Sequence, residues 1–196
     1  MKKLITLATI AFTALFNVYA AGPYKFEKDA DGEYFLSGEF QIECSSETAW
    51  KRLLDHINTT FITEMNEISI NENTQTVSIS GCRENSKFLY NPFAGSFADD
   101  VLYELTISIN GDIVKYTFTK LYLLSTASGF VNYNKKFPWR VIIRNYQKAL
   151  ELVDDSTLSK KEKKDALHDL KDYESSLDKA QETLLKRADE IKTNIQ

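Results

Sequence analysis

From Tyr34 to Glu43 apolar and polar residues alternate, with Tyr34, Leu36, Phe40 and Ile42 on one side and Ser37, Glu39, Gln41 and Glu43 on the other. A period of two is that of a strand with one buried face. After Ser45 the period changes. Ala49, Trp50, Leu53, Leu54, Ile57 and Phe61 recur at three- and four-residue steps, which predicts a helix with one core-facing stripe, capped by Ser45 or Ser46. Ile68 and Ile70, then Val77 and Ile79, predict two short strands joined through Asn71-Glu72-Asn73-Thr74.

The sharpest local signal is Asn110-Gly111 between Tyr103–Ile109 and Ile113–Leu124. This dipeptide suits the positive φ angles of a two-residue type I′ hairpin turn. A turn there puts Ile109 opposite Asp112, Ile107 opposite Val114, Leu105 opposite Tyr116 and Tyr103 opposite Phe118. Apolar residues then share one face, while Thr106 with Lys115 and Glu104 with Thr117 make the other polar.

Two helical patterns follow. Pro138 precedes a stripe of Ile142, Ile143, Tyr146, Ala149, Leu150 and Val153, which predicts a helix over 139–154 covering the sheet. Ser159 and Glu162 form an S-x-x-E capping box, and beyond it Ala166, Leu170, Tyr173, Leu177, Ala180, Leu184, Ala188 and Ile191 keep helical spacing. Such a helix is about 50 Å long, more than a small domain spans, so part of it is expected to project or to pair, with self-association through 160–194 as one outcome.

Two irregular stretches carry unusual numbers of rings. Residues 87–100, KFLYNPFAGSFADD, hold Phe88, Tyr90, Phe93 and Phe97 among turn formers, and Ser125–Phe137 with the following Trp139 adds Phe130, Tyr133 and a further pair of rings. Leu121–Leu124 is apolar on both faces and needs cover on its second side, so these rings are expected to converge at that end of the sheet. Two readings stand: a satellite core in which most rings are buried, or a binding surface in which Tyr90, Phe93, Phe130 and Tyr133 stack on a sugar, grip a peptide or shield an apolar ligand, with Phe97 expected buried and Phe93 exposed.

The first twenty residues bear Lys2 and Lys3, an apolar run from Leu4 to Phe16, and Val18-Tyr19-Ala20 as a small-residue cleavage pattern. That is an export signal cut after Ala20, and the run is too short to cross a bilayer. No cysteine follows it for lipid attachment, so a periplasmic or secreted protein without a transmembrane segment is expected. Removing the signal moves the formal charge from −4 to −6, which argues against nucleic acid as a partner. With 43% hydrophobic residues, residues 21–155 are expected to form one α+β domain and 156–196 a long charged C-terminal helix.

The order strand, helix, four antiparallel strands, helix is carried by GEFQIE (38–43), SSETAWKRLL (45–54), EISI (67–70), TVSISG (76–81) and YELTISINGD (103–112). It resembles an uncharacterised family of secreted bacterial proteins, a domain of unknown function with a TBP-like fold. The resemblance implies a curved antiparallel sheet with helices on its concave face, and a sheet order in which the 34–43 strand lies antiparallel beside 113–124. It supplies no catalytic residue.

The chain shows no catalytic signature. His56 and His168 lack a metal-binding spacing, and no G-x-S-x-G elbow, Gly-rich phosphate loop or C-x-x-C occurs. No metal ligand, catalytic residue or cofactor is therefore assigned. Whether Cys44 and Cys82 form a disulfide stays open: Cys44 continues the Phe40, Ile42 core face, and Cys82 the Ser78, Ser80 polar face unless a bulge at Gly81 reverses it. The leading functional expectation is a non-enzymatic binding module for an unknown protein, glycan or apolar ligand. The alternatives are a hydrophobic carrier using a cavity between sheet and helix, and a small hydrolase built on His56 or His168 beside Cys, Ser or a carboxylate.

Overall fold

The structure is a computed structural model and describes residues 25–61, 66–86, 90–91, 95–127 and 133–196. Within them the chain runs β1 (Glu27–Lys28), β2 (Tyr34–Gln41), α1 (Ser46–Thr60), β3 (Glu67–Asn71), β4 (Thr76–Ser86), β5 (Tyr90–Asn91), β6 (Gly95–Asn110), β7 (Ile113–Ala127), β8 (Tyr133–Pro138), α2 (Trp139–Asp154) and α3 (Lys160–Ile195). The strands form a curved antiparallel sheet in the order β1-β2-β7-β6-β4-β3, with β5 on β6 and β8 on β7. Leu36 pairs with Phe118 and Phe40 with Val114, so β2 lies where burying its apolar face required.

The central hairpin turns one residue later than its sequence suggests. Asn110 pairs with Ile113, making Gly111 and Asp112 the turn, and Ile109, Ile107 and Leu105 face Val114, Tyr116 and Phe118. Gly111 has φ +64° while Asp112 is not left-handed, the pattern of a type II′ turn with Gly in its first central place. A shift of two residues in pairing leaves each side chain on its predicted face.

Stretches expected to be irregular extend the sheet. β4 continues to Ser86, which pairs with Asp99, and Tyr90 pairs with Ser96, so 83–99 is largely the far part of a long hairpin. Likewise β8 pairs along β7, from Tyr122 opposite Pro138 to Ala127 opposite Tyr133. This lengthening settles the fate of α3. At about 3.3 Å per residue, β6 and β7 reach roughly 50 Å, close to the length of the helix.

α3 accordingly lies against both α1 and α2 and touches β4. Its stripe of Leu170, Leu177, Ala180, Leu184, Ala188 and Ile191 belongs to the same core as Val77, Leu105, Phe118 and Ile143. The helix does not project, and the apolar face that self-association through 160–194 would use is buried within the chain. Ser159 and Glu162 form the expected capping box, and Ser45 caps α1. Cys44 and Cys82 are not joined in a disulfide; Cys82 is buried because the sheet register shifts between Ile79 and Cys82, where Gly81 has φ +81°. The bulge turns Cys82 to the core face. Among the described residues no helix is long and apolar enough to cross a membrane.

Candidate functional site

Two bulges meet on the sheet face opposite the helices. One is at Gly81 in β4. The other lies between β6 and β7, where Leu102 pairs with Tyr122 but Glu104 with Thr119, and Lys120 takes φ +49° to absorb the extra residue. Left-handed backbone at a lysine is strained, and bulges re-aim the side chains beside them. Lys120 also sits where the other edge of β7 passes from β2, whose last pair is Leu36 with Phe118, to β8, whose first is Pro138 with Tyr122.

The result is a groove of about 470 Å³ lined by Gly81, Cys82, Arg83, Leu102, Tyr103, Glu104, Lys120, Tyr122 and Lys136. Half-buried Leu102 and Tyr122 give it an apolar floor. Each surrounding cation is held by a neighbour. Lys120 Nζ bonds Glu104 Oε1 at 2.8 Å, and this bond and charge raise the lysine's pKa. Lys136 Nζ stands 5.5 Å from the centre of the Tyr122 ring. Arg83, with 57% of its side chain exposed, donates through Nε and Nη2 to Oδ2 of Asp100, which is 1% exposed. The second carboxylate oxygen, Oδ1, is buried without a hydrogen-bond partner. Burying a carboxylate costs several kcal/mol, and here its visible effect is to fix the direction of an exposed guanidinium.

A second polar cluster lies on the helix side. Glu84, next along β4 after Arg83, accepts from Tyr103 Oη at 2.9 Å and from Arg187 Nε at 2.7 Å. Arg187 Nη1 also meets Glu190 at 3.0 Å, and the guanidinium lies 5.2 Å from the centre of the Phe61 ring. Burial opposes the charge on Arg187, but the Glu84 bond and charge outweigh it and raise its pKa. Burial, reinforced by Glu84, pushes the Tyr103 phenol far up. His56 is held below its ordinary pKa by burial and then by Arg187, against a smaller pull from Glu190, and its Nε2 is buried without a hydrogen-bond partner. This cluster ties α3 to the sheet. His168 is exposed on α3, 3.8 Å from Asp172. Neither histidine therefore lines the groove, and among the described residues no group of His, Cys, Asp or Glu is arranged to hold a metal.

Further clefts lie among the described residues, including one of about 420 Å³ at the turns, lined by residues 73–75 and 108–111; two more adjoin the helices. One of about 250 Å³ lies between β7, β8, α2 and α3, lined by Leu123, Phe137, Val141, Ile142, Asn145, Tyr173 and Ser176. The other, about 290 Å³, is rimmed by Lys28, Arg140 and Arg144. There Arg140 meets Glu33 at 2.6 Å with both side chains largely in solvent, and Lys28 Nζ stands 5.8 Å from the centre of the buried Tyr34 ring.

Of the contact residues expected from sequence, Tyr90 and Tyr133 are placed at one end of the sheet by their pairing with Ser96 and Ala127. Phe93 and Phe130 lie outside the described residues, as does Phe88, and the burial expected for Phe97 concerns a side chain that is likewise not described. Sequence reasoning missed Arg83, Asp100, Lys120 and Lys136. The hint the sequence holds is Gly81, whose bulge re-aims the residues that follow it on β4.

No protein-family profile matches the sequence, and no curated protein matches it. Solved structures do. A TBP-like protein from Parabacteroides distasonis superposes with a TM-score of 0.51 at 9% identity, over 82% of this chain and 91% of that one. A DUF4468 family protein from Bacteroides ovatus gives 0.53 at 15% identity, over 91% and 90%. Identities this low speak to architecture alone, and the architecture is the TBP-like α+β fold.

Proposed function

We propose that the chain is an exported, non-enzymatic binding module of the periplasm or the cell exterior, and that its contact surface is the groove at the two bulges. One observation carries this reading: Asp100 is buried at 1% exposure to hold an arginine that is itself 57% exposed beside an apolar floor. A pair kept only for stability would have its cation inside as well. Export rests on the N-terminal signal pattern in residues 1–20.

The carrier reading has its own observation, the cleft between α2, α3 and β7. Its volume of about 250 Å³ falls below the roughly 300–1,000 Å³ of small-molecule sites, whereas the groove's 470 Å³ falls within it. Hydrogen exchange of the mature chain, with and without isolated envelope polysaccharide, peptidoglycan or a periplasmic extract, separates the two. Protection at 81–83, 102–104 and 120–122 is expected. Protection confined to 141–145 and 173–176 would replace the binding module with a carrier.

A further inference from the structure

We propose that the groove takes a monocarboxylate carried on an apolar or aromatic body, an inference that rests on the binding-module reading and specifies its ligand. Charge is the first argument. Among the described residues Arg83, Lys120 and Lys136 stand against Asp100 and Glu104, leaving one positive charge on a chain whose formal total is −4. A single carboxylate neutralises that residue. A phosphate monoester, carrying about −1.5 to −2 at neutral pH, would leave the groove negative.

Geometry is the second. Asp100 occupies the Nε and Nη2 side of the Arg83 guanidinium, which leaves the Nη1–Nη2 end of this 57%-exposed side chain outside the pair. That end presents two parallel N–H donors, the fork that planar carboxylates accept. Because the cation is already oriented, less side-chain entropy is lost on binding. Lys136 Nζ, above the Tyr122 ring, supplies a second donor on the same side.

The floor is the third. Leu102 and Tyr122 offer apolar surface in the same groove as these donors, so the carboxylate is expected attached to something that gains by leaving water. In the cleft at Lys28, Arg140 and Arg144 one cation stands over the buried Tyr34 ring, but the Arg140–Glu33 pair is exposed at both partners, so no buried carboxylate fixes a guanidinium fork there, which is why the ligand is assigned to the bulge groove.

The test is an NMR titration of the isotope-labelled mature chain with phenylacetate, with its neutral isostere phenylacetamide, and with inorganic phosphate. Phenylacetate is expected to shift the amides of Gly81–Arg83, Leu102–Glu104 and Lys120–Tyr122, and to bind about tenfold or more tightly than the amide, the difference a charge-assisted bond makes. Lys136→Ala, on the exposed rim, should weaken phenylacetate without unfolding the chain. The double variant Arg83→Met/Asp100→Leu, which removes both charges together, should abolish its binding. Equal affinity for phenylacetamide at these amides, or phosphate binding as tightly as phenylacetate, would overturn the monocarboxylate while leaving the groove as the contact surface. Shifts confined to the α2–α3 cleft would overturn both.

Discussion

Arg83 and Glu84 are neighbours on β4 and point to opposite faces of the sheet, and each belongs to an arginine–carboxylate pair. On the helix side, Glu84 and Arg187 are both mostly buried, at 20% and 11% side-chain exposure, with Tyr103, Glu190 and Phe61 around them. On the open side, Asp100 is sealed while Arg83 stands in solvent. The first pair is closed on itself and its consequence is mechanical: it fastens α3 to β4. The second pair leaves its cation facing outward. Burial of one partner or of both is thus what separates a clamp from an oriented, outward-facing cation built from the same chemistry.

The largest effect is expected at the clamp. Arg187→Met leaves Glu84 without its cation and removes the stack on Phe61, and should cost about 3–5 kcal/mol in urea denaturation. Arg83→Met should cost less, about 2–3 kcal/mol, because only Asp100 is sealed from water. Adding Asp100→Leu should recover most of that loss, since a pair replaced by apolar residues is often neutral, and the double-mutant cycle would measure the coupling. The bulge that sets which face each pair takes is tested by Gly81→Ala. At φ +81° an alanine should cost about 1–2 kcal/mol, although no atom crowds the new Cβ closely.

Much of the frame was legible. The alternation of Tyr34, Leu36, Phe40 and Ile42 fixed β2 and its place beside β7, and the stripes over 139–154 and 160–194 marked both later helices. The packing of α3 was not legible, because it lies against α1, α2 and β4, and the far part of β4 at 83–86 reads as a loop in the sequence. Polar Lys135-Lys136 within β8 hid that strand for the same reason. Local pattern fixed the hairpin's faces, but its register depended on whether Asn110 or Gly111 opens the turn, which differs by one backbone angle. The groove was least legible of all. It exists only because bulges at Gly81 and Lys120 bring Arg83, Lys120 and, across β7, Lys136 to one place, and no spacing in the sequence records that.

Two smaller measurements sharpen the contrast. Ser159→Ala removes the side-chain bond to the Glu162 amide and should cost about 1 kcal/mol, loosening the far end of the helix that the clamp holds. At the clamp itself, His56 has a folded pKa below its ordinary value of 6.5, from burial first and Arg187 second, with Glu190 opposing. The unfolded chain therefore binds more protons there, and stability should fall as pH drops below about 6.5 towards the depressed value. His56→Asn should flatten the dependence of the urea midpoint on pH in that window, and an unchanged slope would place the pH sensitivity elsewhere.

The most direct test sets one variant from each side of β4 against the other, measuring urea stability and phenylacetate affinity on both. Arg187→Met should lose about 3 kcal/mol or more yet bind phenylacetate as the parent does in its folded fraction. Arg83→Met/Asp100→Leu should keep close to the parent's stability and bind none. Undiminished binding by the double variant, or undiminished stability in Arg187→Met, would contradict the division of β4 into a clamp and a contact face.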